Sequence, residues 1–195
     1  MEERNANERN MMATYQDTAV DNPKGLALLL PGKAYPTQMP QLYFAKQVAL
    51  AAGYNVRELA WDPGMEWSVP AITAEVEKAL EGNDLPLVIF AKSIGSLSSV
   101  YAAEHSVRSV WITPTLDTPE VIEAIGANTA AQFAFGGTED GYWNSEAAST
   151  WPENVRVLEF PGADHSLLVA GNPARGAAIV GEYTTAMVEF ASENL

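Results

Sequence analysis

Two kinds of segment alternate along the chain: short, largely apolar runs, and longer stretches in which apolar residues recur every three or four positions. The runs are Leu26 to Leu30, Tyr54 to Trp61, Leu87 to Phe90, Val107 to Thr113, Ala130 to Phe135 and Val155 to Phe160. They are rich in Val, Ile, Leu and Phe and several end in Pro-Gly or Gly-Gly, the pattern of strands in a buried parallel sheet. Ala13 to Val20 reads as an additional edge strand. The longer stretches predict helices. Leu42, Ala45, Val48, Ala49 and Ala52 form one stripe between Gln41 and Ala52, stopped by Gly53; Ile72, Val76, Ala79 and Leu80 form another between Pro70 and Leu80. Further helices are predicted from Ile94 to His105, from Pro119 to Ile125 with Thr118 as its cap, and from Arg175 to Phe190.

Strand and helix alternate from Leu26 to the C-terminus, which specifies a mostly parallel sheet of about six or seven strands with helices on both faces, because parallel neighbours need crossover connections. Binding sites of such sheets lie at the carboxyl ends of the strands. Four unusual loops fall there: Pro31-Gly32-Lys33, the turn at Ser93, Gly136 to Trp143, and Pro161 to His165.

The turn at Ser93 organises the rest. In LPLVIFAKSIGS a strand stops at a serine and a helix starts at once, so the junction is tight. Such a turn needs small residues two before and two after the serine, and it projects the hydroxyl from the sheet edge. Ala91-Lys92-Ser93-Ile94-Gly95 supplies Ala and Gly at those positions. A serine at a helix start is also an ordinary N-cap. The nucleophile reading therefore needs partners.

A serine hydroxyl is a weak nucleophile at neutral pH and requires a base, ordinarily histidine, oriented by a carboxylate. The chain has only two histidines. His105 stands at the far end of the helix that begins at Ser93, roughly 16 Å away by helical rise, where it suits the helix dipole. His165, in the loop after the last strand, is the candidate base. The loop after the preceding strand supplies Glu139 and Asp140, of which Asp140 is the chosen acid; Asp117 is the second choice, and Asp164 is assigned a structural or supporting role. The amide of Ile94 is one expected oxyanion donor. Pro31 has no amide proton, so the second donor is expected at Lys33, with Gly32 giving the backbone room. Tyr35, Tyr142 and Trp143 are candidate pocket residues beside Gly32, and Lys92 is expected to bridge an acidic loop.

Composition narrows the classes further. The 195 residues, 47% of them apolar, suit one domain with a substantial core, expected over residues 13–195 after a mobile tail of residues 1–12. No cysteine is present, so disulfides and thiolate metal sites are excluded, and neither a metal nor an organic cofactor is expected. With 25 acidic against 11 basic residues, the net charge of −14 repels nucleic acid and anionic membrane surfaces. The polar N-terminus lacks the apolar core of a secretory signal and no apolar run is long enough to span a membrane, so a cytoplasmic location is expected.

Gly137-Thr138-Glu139-Asp140, Asp164-His165-Ser166 and the Ser93 elbow together resemble the α/β-hydrolase superfamily, over about Leu26 to the C-terminus. The order Ser, Asp, His along the chain is also that family's order. More narrowly, PGKAYPTQMPQLYFAKQVALAAGY and AKSIGS are similar to a small bacterial branch with K-S-I-G elbows. The chain departs from the wider family at Ala91, where the first elbow glycine is expected, and in lacking a His-Gly-Gly-Gly oxyanion motif. The resemblance implies a capless α/β-hydrolase fold and a serine hydrolase of a small carboxylic ester or thioester, with Ser93, Asp140 and His165 as its triad. A noncatalytic protein binding a small ligand on the same scaffold is the alternative. The connection from Thr113 to Pro119 is too short for a helical cap, which argues against long lipid chains as substrates.

Overall fold

Each predicted apolar run forms a strand in the computed structural model, which describes residues 14–62 and 64–195. The expected tail, and Ala13 at the start of the expected edge strand, lie outside the described residues. In chain order the elements are β1 (Thr14–Thr18), β2 (Gly25–Leu30), α1 (Pro40–Ala51), β3 (Tyr54–Ala60), α2 (Val69–Ala79) and β4 (Leu87–Lys92). A 3₁₀ segment (Ser93–Ser98) and α3 (Ser99–Glu104) follow, then β5 (Arg108–Ile112), α4 (Pro119–Ala127) and β6 (Gln132–Gly137). The chain closes with α5 (Ser145–Ala148), β7 (Val155–Phe160) and α6 (Pro173–Asn194). Among the described residues no helix is long and apolar enough to cross a membrane.

The strands form one sheet in the order β1-β3-β2-β4-β5-β6-β7, parallel throughout except for β1, which runs antiparallel to β3. Alternate side chains feed two core layers. Ala27 and Leu29, Val88 and Phe90, Val110 and Ile112, and Phe133 and Phe135 face α1 and α6. Leu28 and Leu30, Ile89 and Ala91, Trp111 and Ala134 face α2, α3 and α4. Double-sided burial explains why β2 and β6 are buried at every residue. β7 departs from that expectation: Arg156 and Val157 are exposed, because it is an edge strand with one neighbour.

Two local expectations are corrected. The helix predicted from Ile94 is a 3₁₀ segment over its first five residues, the segment running Ser93–Ser98. Ser-Ile-Gly-Ser-Leu-Ser is a poor α-helical sequence, and Ser98 Oγ donates 2.7 Å to the Gly95 carbonyl. Thr118 stands at the N-cap of α4, yet its hydroxyl makes no capping bond and turns to Asp117.

The chain reverses direction across the sheet between β2 and β4: β3 lies on one side of this pair and β5 on the other. The carboxyl ends of β2 and β4 therefore flank the crevice where connections diverge, the usual position of a site in such sheets. Residues 113–118 are all that joins β5 to α4, and among the described residues no cap covers that edge.

Polar satisfaction also holds the core in register. Trp111 is fully buried and its indole N–H donates 2.8 Å to Gln132 Oε1, while Gln132 Nε2 donates 2.8 Å to the Ile125 carbonyl. Trp111→Phe leaves that oxygen buried without a donor and opens space beside it. The expected cost is about 2 kcal/mol or more, read as a shift in the urea midpoint at constant slope; an unchanged midpoint would contradict this role for Gln132.

Candidate active site

β4 ends at Lys92, and Ser93 takes a left-handed backbone with φ 53°. That region is costly for a residue with a Cβ, so the surrounding packing must hold it. Gly95 is one reason it can. A Cβ there would lie 2.9 Å from the Leu30 carbonyl oxygen, so only glycine lets the 3₁₀ segment press against β2. The consequence is a half-buried serine whose Oγ stands at the sheet edge.

The loop after β7 brings His165 to that hydroxyl, with Nε2 2.8 Å from Ser93 Oγ. On the other side of the ring Nδ1 is 2.7 Å from Asp140 Oδ2. Asp140 lies after β6, its carboxylate fully buried, and its second oxygen accepts 2.9 Å from the Tyr142 amide. A carboxylate on Nδ1 fixes the tautomer that leaves Nε2 free to accept the serine proton. The approach of the two loops depends on Gly137, where a Cβ would lie 2.0 Å from the Ala163 carbonyl oxygen. Asp164 shapes the base loop, accepting from the amides of Ser166 at 2.8 Å and Leu168 at 2.9 Å. Glu139 and Asp117 are exposed, and neither hydrogen-bonds to His165.

The β2 loop borders the serine directly: a Cβ at Gly32 would sit 3.5 Å from that of Ser93. Gly32 and Tyr35 bridge each other through the main chain, and Trp61 Nε1 holds the turn by donating 2.7 Å to the Pro31 carbonyl. The Lys33 amide donates to no group among the described residues. Ile94 is in the first turn of the 3₁₀ segment, where amides lack partners within the helix. Pro31, Gly32, Lys33, Tyr35 and Trp61 line a cleft of about 280 Å³ beside this loop.

The candidate pocket aromatics divide. Tyr142 is exposed and its ring centroid is 5.0 Å from that of His165. Tyr35 is held by its hydroxyl, which accepts 3.1 Å from the Gln41 amide, and burial pushes its phenol up. Trp143 packs on Gly136 and the second core layer and donates 2.7 Å to Glu159. His105 caps α3 and packs on the Tyr101 ring at 4.3 Å.

Lys92 corrects the sequence expectation most. It bridges no acidic loop; it is 1% exposed, and its ammonium donates to Thr113 Oγ1 and, at 3.0 Å, to the His165 carbonyl. Burial pulls its pKa down to about 7, against the upward pull of Asp140 and Asp164. Nothing in the sequence marks this burial except that a lysine ends an otherwise apolar central strand.

No protein-family model and no curated protein sequence matches the chain. Solved structures do match its fold. Est1E from Butyrivibrio proteoclasticus, in its ferulic acid complex, aligns with a TM-score of 0.70 at 13% identity, covering 93% of this chain and 95% of that one. Dienelactone hydrolase from Anabaena variabilis gives 0.70 at 16%, covering 94% and 92%. An α/β serine hydrolase homologue from Coxiella burnetii gives 0.69 at 11%, covering 91% and 90%. The fold is therefore the α/β-hydrolase fold, without a cap domain.

The Lys92 environment sets a pH dependence of stability. Its native pKa of about 7 lies below the ordinary 10.5, so between these values the unfolded chain binds a proton that the native state does not. Stability from this group rises with pH across that window and falls away as pH drops toward 7. Urea denaturation at pH values from about 6.5 to 9.5 should show wild type gaining stability relative to Lys92→Met as pH rises; a difference independent of pH would contradict the assignment.

Proposed function

We propose that this protein is a serine hydrolase acting on a small carboxylic ester or thioester through an acyl-enzyme intermediate. The observation that carries the reading is the continuous relay from Ser93 Oγ to His165 Nε2, 2.8 Å, and from His165 Nδ1 to Asp140 Oδ2, 2.7 Å, at the open end of the sheet.

In the first half-reaction Ser93 Oγ attacks the carbonyl carbon as its proton passes to His165 Nε2. Asp140 stabilises the imidazolium through Nδ1 and does not itself take the proton. Negative charge grows on the former carbonyl oxygen, and the amides of Ile94 and Lys33 are the donors for it; loss of one such donor costs about 2.7–4 kcal/mol in a characterised hydrolase. Nε2 then protonates the leaving oxygen or sulfur as the bond to carbon breaks. Water repeats the sequence on the acyl-enzyme, giving a carboxylic acid and free Ser93.

The short link after β5, with no cap over this edge among the described residues, favours small or protruding acyl groups over long lipid chains. Est1E, solved with ferulic acid bound, and the Anabaena dienelactone hydrolase share this fold, which supports a small substrate on this scaffold. The Lys-Ser-Ile-Gly elbow aligns our reading with the small bacterial branch that shares it.

A fluorophosphonate probe tests nucleophile and base together. Intact mass and peptide mapping should find one label on Ser93, absent in Ser93→Ala and slowed by about 10³-fold or more in His165→Ala. Folded wild type that takes no label, or labelling indifferent to His165, would transfer the site to the ligand-binding alternative.

A further inference from the structure

Lys92 takes no part in the reaction as written, yet it meets the β2 loop, the end of β5 and the loop that carries His165. Its stem lies beneath the β2 loop, where a Cβ on Gly32 would be 3.5 Å from Lys92 Cγ. Its Nζ sits 5.2 Å from the Tyr35 ring centroid, a cation–π distance. The same Nζ donates to Thr113 Oγ1, at the end of β5, and 3.0 Å to the main-chain carbonyl of His165. The next residue in sequence is Ser93 itself.

We propose that Lys92 is a positioning residue, whose ammonium ties the His165 carbonyl to the end of β4 and so fixes the imidazole on Ser93 Oγ. The proposal rests on the hydrolase reading above. The base loop is also held by turn bonds within itself, by bonds to the β6 loop such as Glu139 N–H to Ala163 O and Gly162 N–H to Thr138 Oγ1, both 2.9 Å, by burial of Ala163 and Leu167 in the core, and by the Asp140 contact to the ring. Among the described residues, the Lys92 bond is the hydrogen bond that ties the backbone of His165 to the end of β4.

A lysine amino group suits this place because it donates and its partners accept: a hydroxyl oxygen, a carbonyl oxygen and a ring face. Its charge is also met from two sides, by Asp140 after β6 and Asp164 in the base loop. A lysine kept in so dry a position is expensive to bury. A methionine would fill the same space at lower desolvation cost, so the hydrogen bonds rather than the volume explain the residue. Thr113 contributes to the arrangement through a left-handed backbone, φ 41°, with its side chain fully buried against the ammonium.

The test compares wild type with Lys92→Met, which keeps the shape and loses the donors, and Lys92→Arg, which keeps donors and charge but crowds the site. Thr113→Val is the second route, since it removes the partner that steadies the ammonium without touching the lysine. Two readouts are taken on folded protein: the fluorophosphonate labelling rate, and amide hydrogen exchange of the peptide spanning residues 161–169. We expect Lys92→Met to label about 10- to 100-fold more slowly, the scale of a misplaced catalytic group. Lys92→Arg should fall between it and wild type, Thr113→Val should slow labelling less than Lys92→Met, and exchange should rise in the base loop of Lys92→Met. If Lys92 were only core filling, the order would reverse, with Met near wild type and Arg worst.

That reversed order, or a base loop whose exchange is unchanged in Lys92→Met, would overturn the proposal. The exchange readout does not depend on chemistry. Faster exchange beside a wild type that never labels would leave the tie standing and remove the hydrolase reading; normal wild-type labelling matched by Lys92→Met would do the opposite.

Discussion

The left-handed turn at Ser93 is the constraint on which the site depends. A residue with a Cβ in that conformation costs about 1–2 kcal/mol, and it persists because the fold fixes both sides of it. β4 is the central strand, buried and paired with β2 and β5, and cannot shift to relax the turn. The 3₁₀ segment is pressed on the Leu30 carbonyl through Gly95 and tied to the β5 loop by the Thr115 amide, which donates 3.1 Å to Ser96 Oγ. The strain is thus local while its support is distributed, the usual arrangement at functional sites.

From that fixed hydroxyl outward, each group of the candidate site comes from the end of a different strand. The β2 loop contributes Gly32 and Lys33, the β6 loop Asp140, and the β7 loop His165. Their convergence follows from sheet order: β2 is the neighbour of β4, and the β6 and β7 loops approach it from the other side along the same edge. Close backbone contacts make the distances short. Gly137 lets the acid loop meet the base loop, and Gly32 lets the β2 loop meet Ser93. Lys92 then lies buried between the β2 loop and the loop that carries His165, its amino group donating to Thr113 and to the His165 carbonyl.

Much of this was legible in the amino-acid order because buried parallel strands and amphipathic helices leave strong patterns. Leu26 to Leu30 and Leu87 to Phe90 have no reading other than buried segments, and scarcity of histidine narrowed the base to His165. Ser93, His165 and Asp140, singled out by spacing and by resemblance, lie in hydrogen-bond contact. What escaped was decided by tertiary context. The close seating of the 3₁₀ segment on Leu30 through Gly95, and the exposure of β7 at the edge, are set by neighbours remote in sequence. The four-residue α5 is too short to show periodicity. Lys92 misled because lysine is usually at a surface, and its two acceptors, Thr113 and His165, are distant in sequence.

The central claim is that Ser93 forms a covalent acyl intermediate, and the most direct measurement is rapid-quench mass spectrometry during turnover of p-nitrophenyl acetate. The account predicts a burst of nitrophenolate stoichiometric with enzyme, accompanied by one acetyl group on the peptide containing Ser93. Turnover without a burst could reflect fast deacylation, so the peptide decides: hydrolysis by wild type with the acetyl group never found on Ser93, and undiminished in Ser93→Ala, would contradict the account.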